Sequence, residues 1–337
     1  MKLLRKILFP FSGLYYIITL LRNKAYDLGY LSYKEYPLPI ICIGNLNTGG
    51  TGKSPMTEYF IQLLKDEYHI ATLSRGYGRK TKGYLQVFAD SLAKNVGDEP
   101  LQFARKFKDV IVAVCEDRRL GISQLLQRTP SPEMIILDDA YQHRKVKAGF
   151  QVVLTAYQDL YVNDYLLPVG NLREPRSGVD RADVIIVTKC PEGISKRERE
   201  TVIRKLKPAS HQKVYFTTIS YDEFFMSDDT KLPVSELKNK KITLVTGIAN
   251  PTPLVSHLQD LGLHFEHKSY KDHHNFALSE IKTLETCECI VTTEKDYVRL
   301  SPLLKNKQLY YLPIKVSFVS NEASFDKQIL DFVKDFN

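Results

Sequence analysis

The chain of 337 residues is long enough for two compact domains, and its 43% hydrophobic and 26% charged residues are typical of an ordinary globular protein. Lys and Arg outnumber Asp and Glu by 47 to 39, which would attract nucleotides, phosphorylated substrates or an anionic membrane, although so mild an excess is also common in proteins without acidic partners. The five cysteines lack the paired spacings of a zinc site or a disulfide framework, which predicts a reducing compartment.

The first segment, residues 1–37, contains an apolar run from Ile7 to Leu21 with aromatic residues inside it. Basic residues flank the run on both sides, namely Lys2, Arg5, Lys6, Arg22 and Lys24. The run is shorter than the roughly 20 residues that a membrane-spanning helix needs, and no small-residue cleavage site of a signal peptide follows it. We therefore expect an amphipathic helix that lies on an anionic membrane surface. The alternative is a helix packed on the protein's own core.

Apolar runs rich in β-branched residues alternate with helix-length segments along the rest of the chain, which predicts parallel sheet covered on both faces. The first group of predicted strands covers 38–44, 69–76, 110–114, 134–139, 150–156 and 183–189. After a charged helical stretch the pattern restarts at 213–219, 241–248, 288–296 and 309–318. We expect an α/β fold with a P-loop NTPase-like parallel-sheet domain over 38–210, a smaller α/β domain over 211–337 and a ligand cleft between them.

The stretch "IGNLNTGGTGKSP" (43–55) ends a predicted strand and precedes a helical pattern. In a P-loop the glycines let backbone N–H groups point at the phosphates, a lysine reaches the terminal phosphates, and the next hydroxyl binds magnesium. Asn47 stands where the pattern has its first glycine; because asparagine tolerates the left-handed conformation, we expect it to replace that glycine conformationally. The predicted nucleotide-binding residues are Asn47, Thr48, Gly49, Gly50, Thr51, Gly52, Lys53 and Ser54.

Two aspartates, Asp138 and Asp139, end the predicted strand at 134–139. At the end of a neighbouring parallel strand, either one would hold magnesium beside the loop, directly or through water. Thr48 stands where a related loop of partitioning ATPases carries a lysine that acts across a dimer, which argues against a dimerising switch ATPase. The loop and the aspartates therefore predict ATP and Mg²⁺ as ligands.

Further short motifs follow the loop in a specific order: "LSRGYGRK" (73–80), "GDEP" (97–100), "LDDAYQHR" (137–144), "LPVGNLREP" (167–175), "RADVIIVTK" (181–189), "TGIANP" (246–251), "DHHNF" (272–276) and "TTEKD" (292–296). Over about residues 1–296 the chain resembles the tetraacyldisaccharide 4'-kinases, membrane-associated P-loop enzymes. Ser54 stands where that family usually has threonine, and "DDAYQH" where "DDGFQH" is usual; neither change removes a functional group.

The resemblance implies transfer of the ATP γ-phosphate to the 4'-hydroxyl of a tetraacyldisaccharide 1-phosphate in lipid A biosynthesis, giving a lipid IVA-type product. It also implies a peripheral protein at the cytoplasmic face of the inner membrane, whose partners are an acylated disaccharide lipid and the anionic membrane surface. No nucleic acid is expected as a partner, and no obligate protein partner is inferred.

The resemblance assigns Asp98 as the general base, with His273 rather than His274 as its partner, and Lys53 as the lysine at the phosphates. Judged from the sequence alone, an aspartate at this position would also be an ordinary helix N-cap. Glu99 also has two interpretations, a helix cap or a magnesium ligand, of which we prefer the second. The predicted metal ligands are Ser54, Asp138, Asp139 and Glu99.

Four residues are candidate substrate ligands: Arg75, Gln142, His143 and Arg173. Guanidinium groups suit bidentate contacts to phosphate oxygens. Gln142 and His143 follow the two aspartates closely, and structural hydrogen bonding is an equal alternative for both.

A nucleotide-dependent switch or chaperone ATPase of the P-loop class is the alternative function. Such a protein would hydrolyse ATP without any lipid, whereas a kinase would consume ATP in step with phosphorylated lipid.

Overall fold

The computed structural model describes residue 5 and residues 7–228, 230–304 and 308–336. The strands are β1 (Ile40–Asn45), β2 (Ile70–Ser74), β3 (Leu85–Val87), β4 (Ile111–Val114), β5 (Met134–Asp138), β6 (Phe150–Ala156), β7 (Val184–Thr188), β8 (Lys213–Tyr221), β9 (Phe224–Met226), β10 (Lys231–Pro233), β11 (Ile242–Thr246), β12 (Phe265–Ser269), β13 (Cys289–Thr293), β14 (Gln308–Leu312) and β15 (Ile314–Phe318). The α-helices are α1 (Phe9–Asp27), α2 (Lys53–Leu64), α3 (Ala93–Val96), α4 (Asp98–Lys106), α5 (Arg118–Leu126), α6 (Lys196–Leu206), α7 (Thr252–Asp260), α8 (Leu278–Glu285), α9 (Glu294–Leu300) and α10 (Glu322–Asp335).

A nine-stranded sheet forms the centre of the larger unit, in the order β15-β8-β7-β6-β1-β5-β2-β4-β3. β1 pairs in parallel with β5 and β6, and all its residues are buried, as its isoleucine-rich sequence predicts for a strand covered on both faces. Among the described strands of this sheet, β3 and β15 run antiparallel to their neighbours. The predicted α/β architecture with a mainly parallel sheet is confirmed.

A six-stranded sheet forms the smaller unit, in the order β10-β9-β14-β13-β11-β12. Its strands β14, β13, β11 and β12 are parallel, and the short β9 and β10 add an antiparallel edge. Hydrophobic clusters separate from those of the larger sheet pack around it, with Leu244 and Val291 in one cluster and Ile290 and Leu300 in the other. The smaller unit therefore has a core of its own.

Sheet membership divides the chain differently from the boundary predicted at residue 210. β8 extends the larger sheet beyond β7, and β15 pairs with β8. α10 packs on the same core through Phe325 and Ile329. The single strand predicted at 309–318 is two strands, because Pro313 lacks an N–H for the ladder and separates β14 from β15. The smaller sheet thus takes strands from residues 224 to 312, and the chain then returns to the larger sheet.

Helix α1 turns a polar side toward the protein and an apolar side outward. Its buried residues are Ser12, Thr19, Asn23 and Tyr26. Its exposed large hydrophobic residues are Phe9, Phe11, Leu14, Tyr16, Ile17, Ile18 and Leu21. The apolar side is therefore not packed on the protein's own core. Of the basic residues predicted to flank the apolar run, Lys2 and Lys6 lie outside the described residues.

Among the helices of the described residues, none combines the length and the hydrophobicity needed to cross a bilayer.

Candidate functional site

A glycine-rich loop, residues 46–52, joins β1 to α2 at the carboxyl edge of the larger sheet. Gly52 caps α2 with a left-handed backbone at φ 83°, a conformation that favours glycine. Lys53 is the first residue of α2 and Ser54 the second. The first amides of a helix lack intrahelical partners and carry the positive end of its dipole, so this loop and helix start form a site for an anion.

Strand β7 holds the glycine-rich loop from the side. The Thr188 hydroxyl donates to the Thr51 carbonyl at 2.7 Å, and Lys189 Nζ donates to the Gly50 carbonyl at 2.5 Å. Burial and the charge of Lys53 lower the pKa of Lys189. Because these donors engage two loop carbonyls, they reduce the repulsion that an incoming anion would meet at the loop.

Asn47 does not have the left-handed backbone that we expected. It is not among the residues with positive φ, and it forms an antiparallel bridge with Leu172. Its side-chain amide donates to Asp164 Oδ2 at 3.0 Å, and the neighbouring Thr48 amide donates to the Asn171 carbonyl at 2.7 Å. The prediction that Asn47 substitutes for a glycine conformationally is therefore wrong. The loop at this point is held extended by the segment around residue 171, so no positive φ is required.

The two aspartates after β5 differ in charge state. Burial, with the carboxylates of Asp139 and Glu99 nearby, raises the pKa of Asp138 to about 7. Asp139 is only partly buried, and Lys53 and Arg173 lower its pKa. Its backbone has φ 46°, an uncommon conformation for a residue other than glycine. Asp139 thus forms ion pairs with two cations, whereas Asp138 has no ion pair among the described residues.

Arg173 and Lys53 converge on the end of β1. Arg173 Nη2 donates to Asp139 Oδ1 at 2.8 Å and to the Asn45 carbonyl at 3.1 Å, and it also bonds the Asn45 side chain. Lys53 Nζ lies 3.4 Å from Asn45 Oδ1 and 3.8 Å from Asp139 Oδ1. The backbone amide of Arg173 donates to the Leu46 carbonyl at 2.7 Å, which fixes the arginine beside the loop.

Gln142 and His143 make hydrogen bonds within the protein. This is the structural role that the sequence left open as an alternative to substrate binding. Gln142 Nε2 lies 2.9 Å from both the Asn45 carbonyl and Glu174 Oε1. His143 Nε2 accepts from the Arg118 amide at 3.3 Å. Burial and the charge of Arg118 lower the pKa of His143 to about 4, so this ring is neutral at pH 7.

Asp98 begins α4 and does not cap it. The cap is Gly97, which has φ 95°, and a Cβ on this residue would lie 3.2 Å from the backbone of Gly76. Glycine is therefore needed here both for the backbone conformation and for the close approach. The helix start has no side-chain capping hydrogen bond, so the N-cap interpretation of Asp98 is wrong.

The Asp98 carboxylate meets two side chains from the smaller unit. His273 Nδ1 lies 2.9 Å and Arg299 Nη2 lies 2.6 Å from the same oxygen, Oδ2. Burial opposes ionisation, but these two hydrogen bonds outweigh it and lower the pKa of Asp98 to about 2. Lys295 Nζ lies 2.8 Å from His273 Nε2. Because an ammonium group can only donate, Nε2 accepts and the ring proton is assigned to Nδ1, facing Asp98.

His274 has a different environment from His273. Its Nε2 lies 2.8 Å from Glu280 Oε2, and its ring stacks on Tyr270 with the centroids 4.7 Å apart. The structure therefore brings His273, and not His274, to Asp98.

Glu99 connects the Asp98 cluster to the two aspartates. Lys295 Nζ lies 3.5 Å from Glu99 Oε1, and the Glu99 carboxylate is close enough to Asp138 to raise the pKa of Asp138.

A cavity of about 360 Å³ opens beside Asp98 and is lined by residues of both units. Arg75, after β2, is exposed and has no hydrogen bond or ion pair with any other described residue.

The site has unsatisfied polar atoms that fit a polyphosphate. The Thr51 hydroxyl and Arg173 Nε are buried without a hydrogen-bond partner among the described residues, and both can donate to phosphate oxygens. The described residues hold no cluster of three or more His, Cys, Asp or Glu side chains that would bind a metal alone. Magnesium in proteins is commonly held by one or two carboxylates together with substrate phosphates, and Asp138, which accepts from the Thr57 hydroxyl of α2 at 3.2 Å, suits that arrangement.

Several residues at the site were not predicted from the sequence. Asn45 and Lys189 lie at strand ends, where a search for polar residues after apolar strands would have found them. Lys295 lies within the "TTEKD" motif but was assigned no role. Arg299 had no signal, because its contact with Asp98 joins residues that are 201 positions apart.

Comparisons with known proteins identify the family of this chain. The family model described as Tetraacyldisaccharide-1-P 4'-kinase matches residues 4–334. The Tetraacyldisaccharide 4'-kinase of Flavobacterium johnsoniae is 47% identical over 99% of both chains. That of Bacteroides thetaiotaomicron is 40% identical over 98% of this chain and 94% of the relative. The crystal structure of the "apo" form of LpxK from Aquifex aeolicus in complex with ATP has a TM-score of 0.80 and 32% identity, over 98% of this chain and 99% of that one. The chain therefore belongs to the tetraacyldisaccharide-1-P 4'-kinase family.

Proposed function

We propose that this protein transfers the γ-phosphoryl group of ATP to the 4'-hydroxyl of a tetraacyldisaccharide 1-phosphate in lipid A biosynthesis. The observation that carries the proposal is the position of Asp98. Asp98 belongs to a chain of this kinase family, and its carboxylate is ionised and hydrogen-bonded to His273. The next residue, Glu99, raises the pKa of Asp138. A proton acceptor and a phosphate site thus adjoin each other.

The glycine-rich loop acts as a P-loop. Its amides and the start of α2 bind the β- and γ-phosphates, and Lys53 reaches the same phosphates from the first turn of α2. Arg173 lies beside Lys53 on Asp139 and has a free Nε, so it adds a second positive charge at the phosphates.

Ser54, Asp138 and Asp139 would hold Mg²⁺ together with ATP phosphate oxygens, with Glu99 next to them. The ion would supply charge neutralisation at the transferring phosphoryl group. Asp138 is the better direct ligand, because its carboxyl has no ion pair among the described residues, whereas Asp139 is already paired with Arg173 and Lys53.

Asp98 is the general base in this mechanism. Its Oδ2 is engaged by His273 and Arg299, so Oδ1 faces the sugar hydroxyl and takes its proton as the oxygen attacks the γ-phosphorus. The bond from that phosphorus to the bridging oxygen breaks, and ADP leaves. His273 is not the base, because its Nε2 already accepts from Lys295.

The substrate enters through the cavity beside Asp98. Arg75 is exposed and unpaired among the described residues, and it is the candidate contact for the substrate's phosphate. Gln142 and His143 are assigned a structural part, since their polar atoms are engaged within the protein.

The protein binds peripherally to the cytoplasmic face of the inner membrane through the outward apolar side of α1. Exposed aromatic and aliphatic side chains would enter the headgroup region, where an acylated substrate also resides. Vesicle binding that survived replacement of these side chains by serine would contradict this part of the proposal.

The proposal is tested by incubation with labelled ATP and a panel of acceptors: tetraacyldisaccharide 1-phosphate, the same disaccharide without acyl chains, a nucleoside, and no acceptor. We expect label in the acylated disaccharide and ADP released in step with it. The switch or chaperone alternative instead predicts hydrolysis at the same rate without acceptor, and that result would overturn the kinase assignment.

A further inference from the structure

We infer that α1 supports the nucleotide site through hydrogen bonds, and that Glu174 is the positioning residue that connects the two. The inference rests on the proposed function, in that the loop at 46–52 is taken to bind ATP. It adds that nucleotide affinity depends on the polar side of α1 even when no membrane is present.

Glu174 is a buried carboxylate, only 2% exposed, on which three parts of the chain converge. Its Oε2 accepts from Asn23 Nδ2 of α1 at 2.9 Å. Its Oε1 accepts from Gln142 Nε2 at 2.9 Å. Arg181 Nη2 donates to both oxygens, at 3.1 and 2.9 Å. A buried carboxylate is stable only when such bonds are all made, so loss of one loosens the others.

The contacts continue from Glu174 into the nucleotide site. The Gln142 nitrogen that donates to Glu174 is also 2.9 Å from the Asn45 carbonyl, and the Asn45 side chain contacts Lys53. The preceding residue, Arg173, is attached to α1 separately, because its carbonyl accepts from the Tyr15 hydroxyl at 2.8 Å.

Two successive residues, Arg173 and Glu174, are therefore held by α1 while their side chains organise Asn45 and Asp139.

Among the buried polar residues of α1, Thr19 provides a contrast. Among the described residues, its hydroxyl bonds only to carbonyls of its own helix, at Tyr15 and Tyr16. Thr19 is buried on the same side as Asn23, one turn away, and its side chain has no hydrogen bond to Glu174.

The test measures ATP affinity by calorimetry, with Mg²⁺ and without lipid or detergent, for the full chain and three variants. We expect Asn23→Leu to weaken ATP binding about 5- to 20-fold, because it removes one donor from Glu174 without changing side-chain volume greatly. Tyr15→Phe, which frees the Arg173 carbonyl and is the milder change, should weaken it about 2- to 5-fold. Thr19→Val should stay within about twofold of the parent.

Thermal unfolding and KM separate positioning from folding. The inference predicts a raised KM for ATP with kcat less affected, at a melting temperature close to that of Thr19→Val. Equal ATP affinities in Asn23→Leu, Tyr15→Phe and the parent would overturn it, and so would an equal loss in Thr19→Val. Failure of the parent protein to bind ATP would instead contradict the proposed function, so the two failures are distinguishable.

Discussion

Replacement of His273 by alanine tests how the Asp98 carboxylate is prepared for catalysis. In the structure the pKa of Asp98 is lowered from 3.8 to about 2, which corresponds to about 2.5 kcal/mol in favour of the ionised form. Two groups on Oδ2, His273 and Arg299, share this effect, so about half of it should survive the loss of either. His273→Ala should therefore lower kcat about 10- to 100-fold, when lost orientation of the carboxylate is included.

The pair is examined through a double-mutant cycle with Asp98→Asn, which keeps the shape of the side chain and removes the proton acceptor. Loss of a general base costs typically about 10²- to 10⁴-fold. If His273 acts through Asp98, adding His273→Ala to Asp98→Asn should change kcat by less than about threefold, because residues that act as a unit are not additive. The assay is phosphorylation of tetraacyldisaccharide 1-phosphate in mixed micelles, with KM for ATP measured in parallel.

His274→Ala is the matched control, since this neighbouring histidine is bonded to Glu280 and not to Asp98. It should retain kcat within about threefold. Fully multiplicative losses in the cycle would show that His273 does not act through Asp98. Near-parental activity of Asp98→Asn would remove Asp98 as the base and refute the reasoning at its root.

Two further predictions concern stability and the membrane surface. Lys106 Nζ lies between Glu58 and Glu294, at 2.6 and 3.2 Å, and burial together with the Glu58 charge raises the pKa of Glu294 from 4.5 to about 7. The folded state then holds a proton between pH 4.5 and 7 that the unfolded state has released, so the free energy of unfolding falls as pH rises through this interval. Glu294→Gln should remove that decline and gain about 1 to 3 kcal/mol on the parent between pH 5 and 8 in urea titrations; identical pH dependence in both proteins would contradict this. Ile17, 53% exposed on α1, should contribute about 1 kcal/mol to membrane binding, so Ile17→Ser should reduce sedimentation with anionic vesicles about fivefold, whereas Leu278→Ser, at an exposed leucine of α8, should not.

The larger sheet and the phosphate site could be predicted because their signals are local. Each apolar run predicted between residues 38 and 189 corresponds to one strand. Parallel strands place their carboxyl ends at one edge, so the loop after β1 and the aspartates after β5 meet there. Lys53 and the aspartates follow from motif and topology together.

The partition between the two sheets could not be predicted in this way. β8 resembles any other apolar strand, and its pairing with β15 depends on residues about 95 positions later. Strand propensity does not specify a partner. For the same reason Arg299 and Lys295 could not be placed at Asp98 and His273, since their contacts exist only once the smaller unit lies against α4.

Helix α1 shows most clearly where sequence periodicity stops being informative. The run from Ile7 to Leu21 predicts a helix with an apolar stripe, but for a helix on a globular protein that stripe would ordinarily face the core. A second stripe is polar and also repeats every three to four residues, through Ser12, Tyr15, Thr19 and Asn23. Either stripe can face inward, and the choice depends on whether the protein offers hydrogen-bond partners or apolar surface at that place. Here it offers the carbonyls of Leu166 and Arg173 and the carboxylate of Glu174, so the polar stripe is satisfied inside. Each of these partners adjoins the nucleotide site or its supporting loop. If the helix were turned over, its apolar side would face these buried acceptors and would offer them no hydrogen-bond donors. The outward apolar surface and the ordered position of Arg173 would then be lost together.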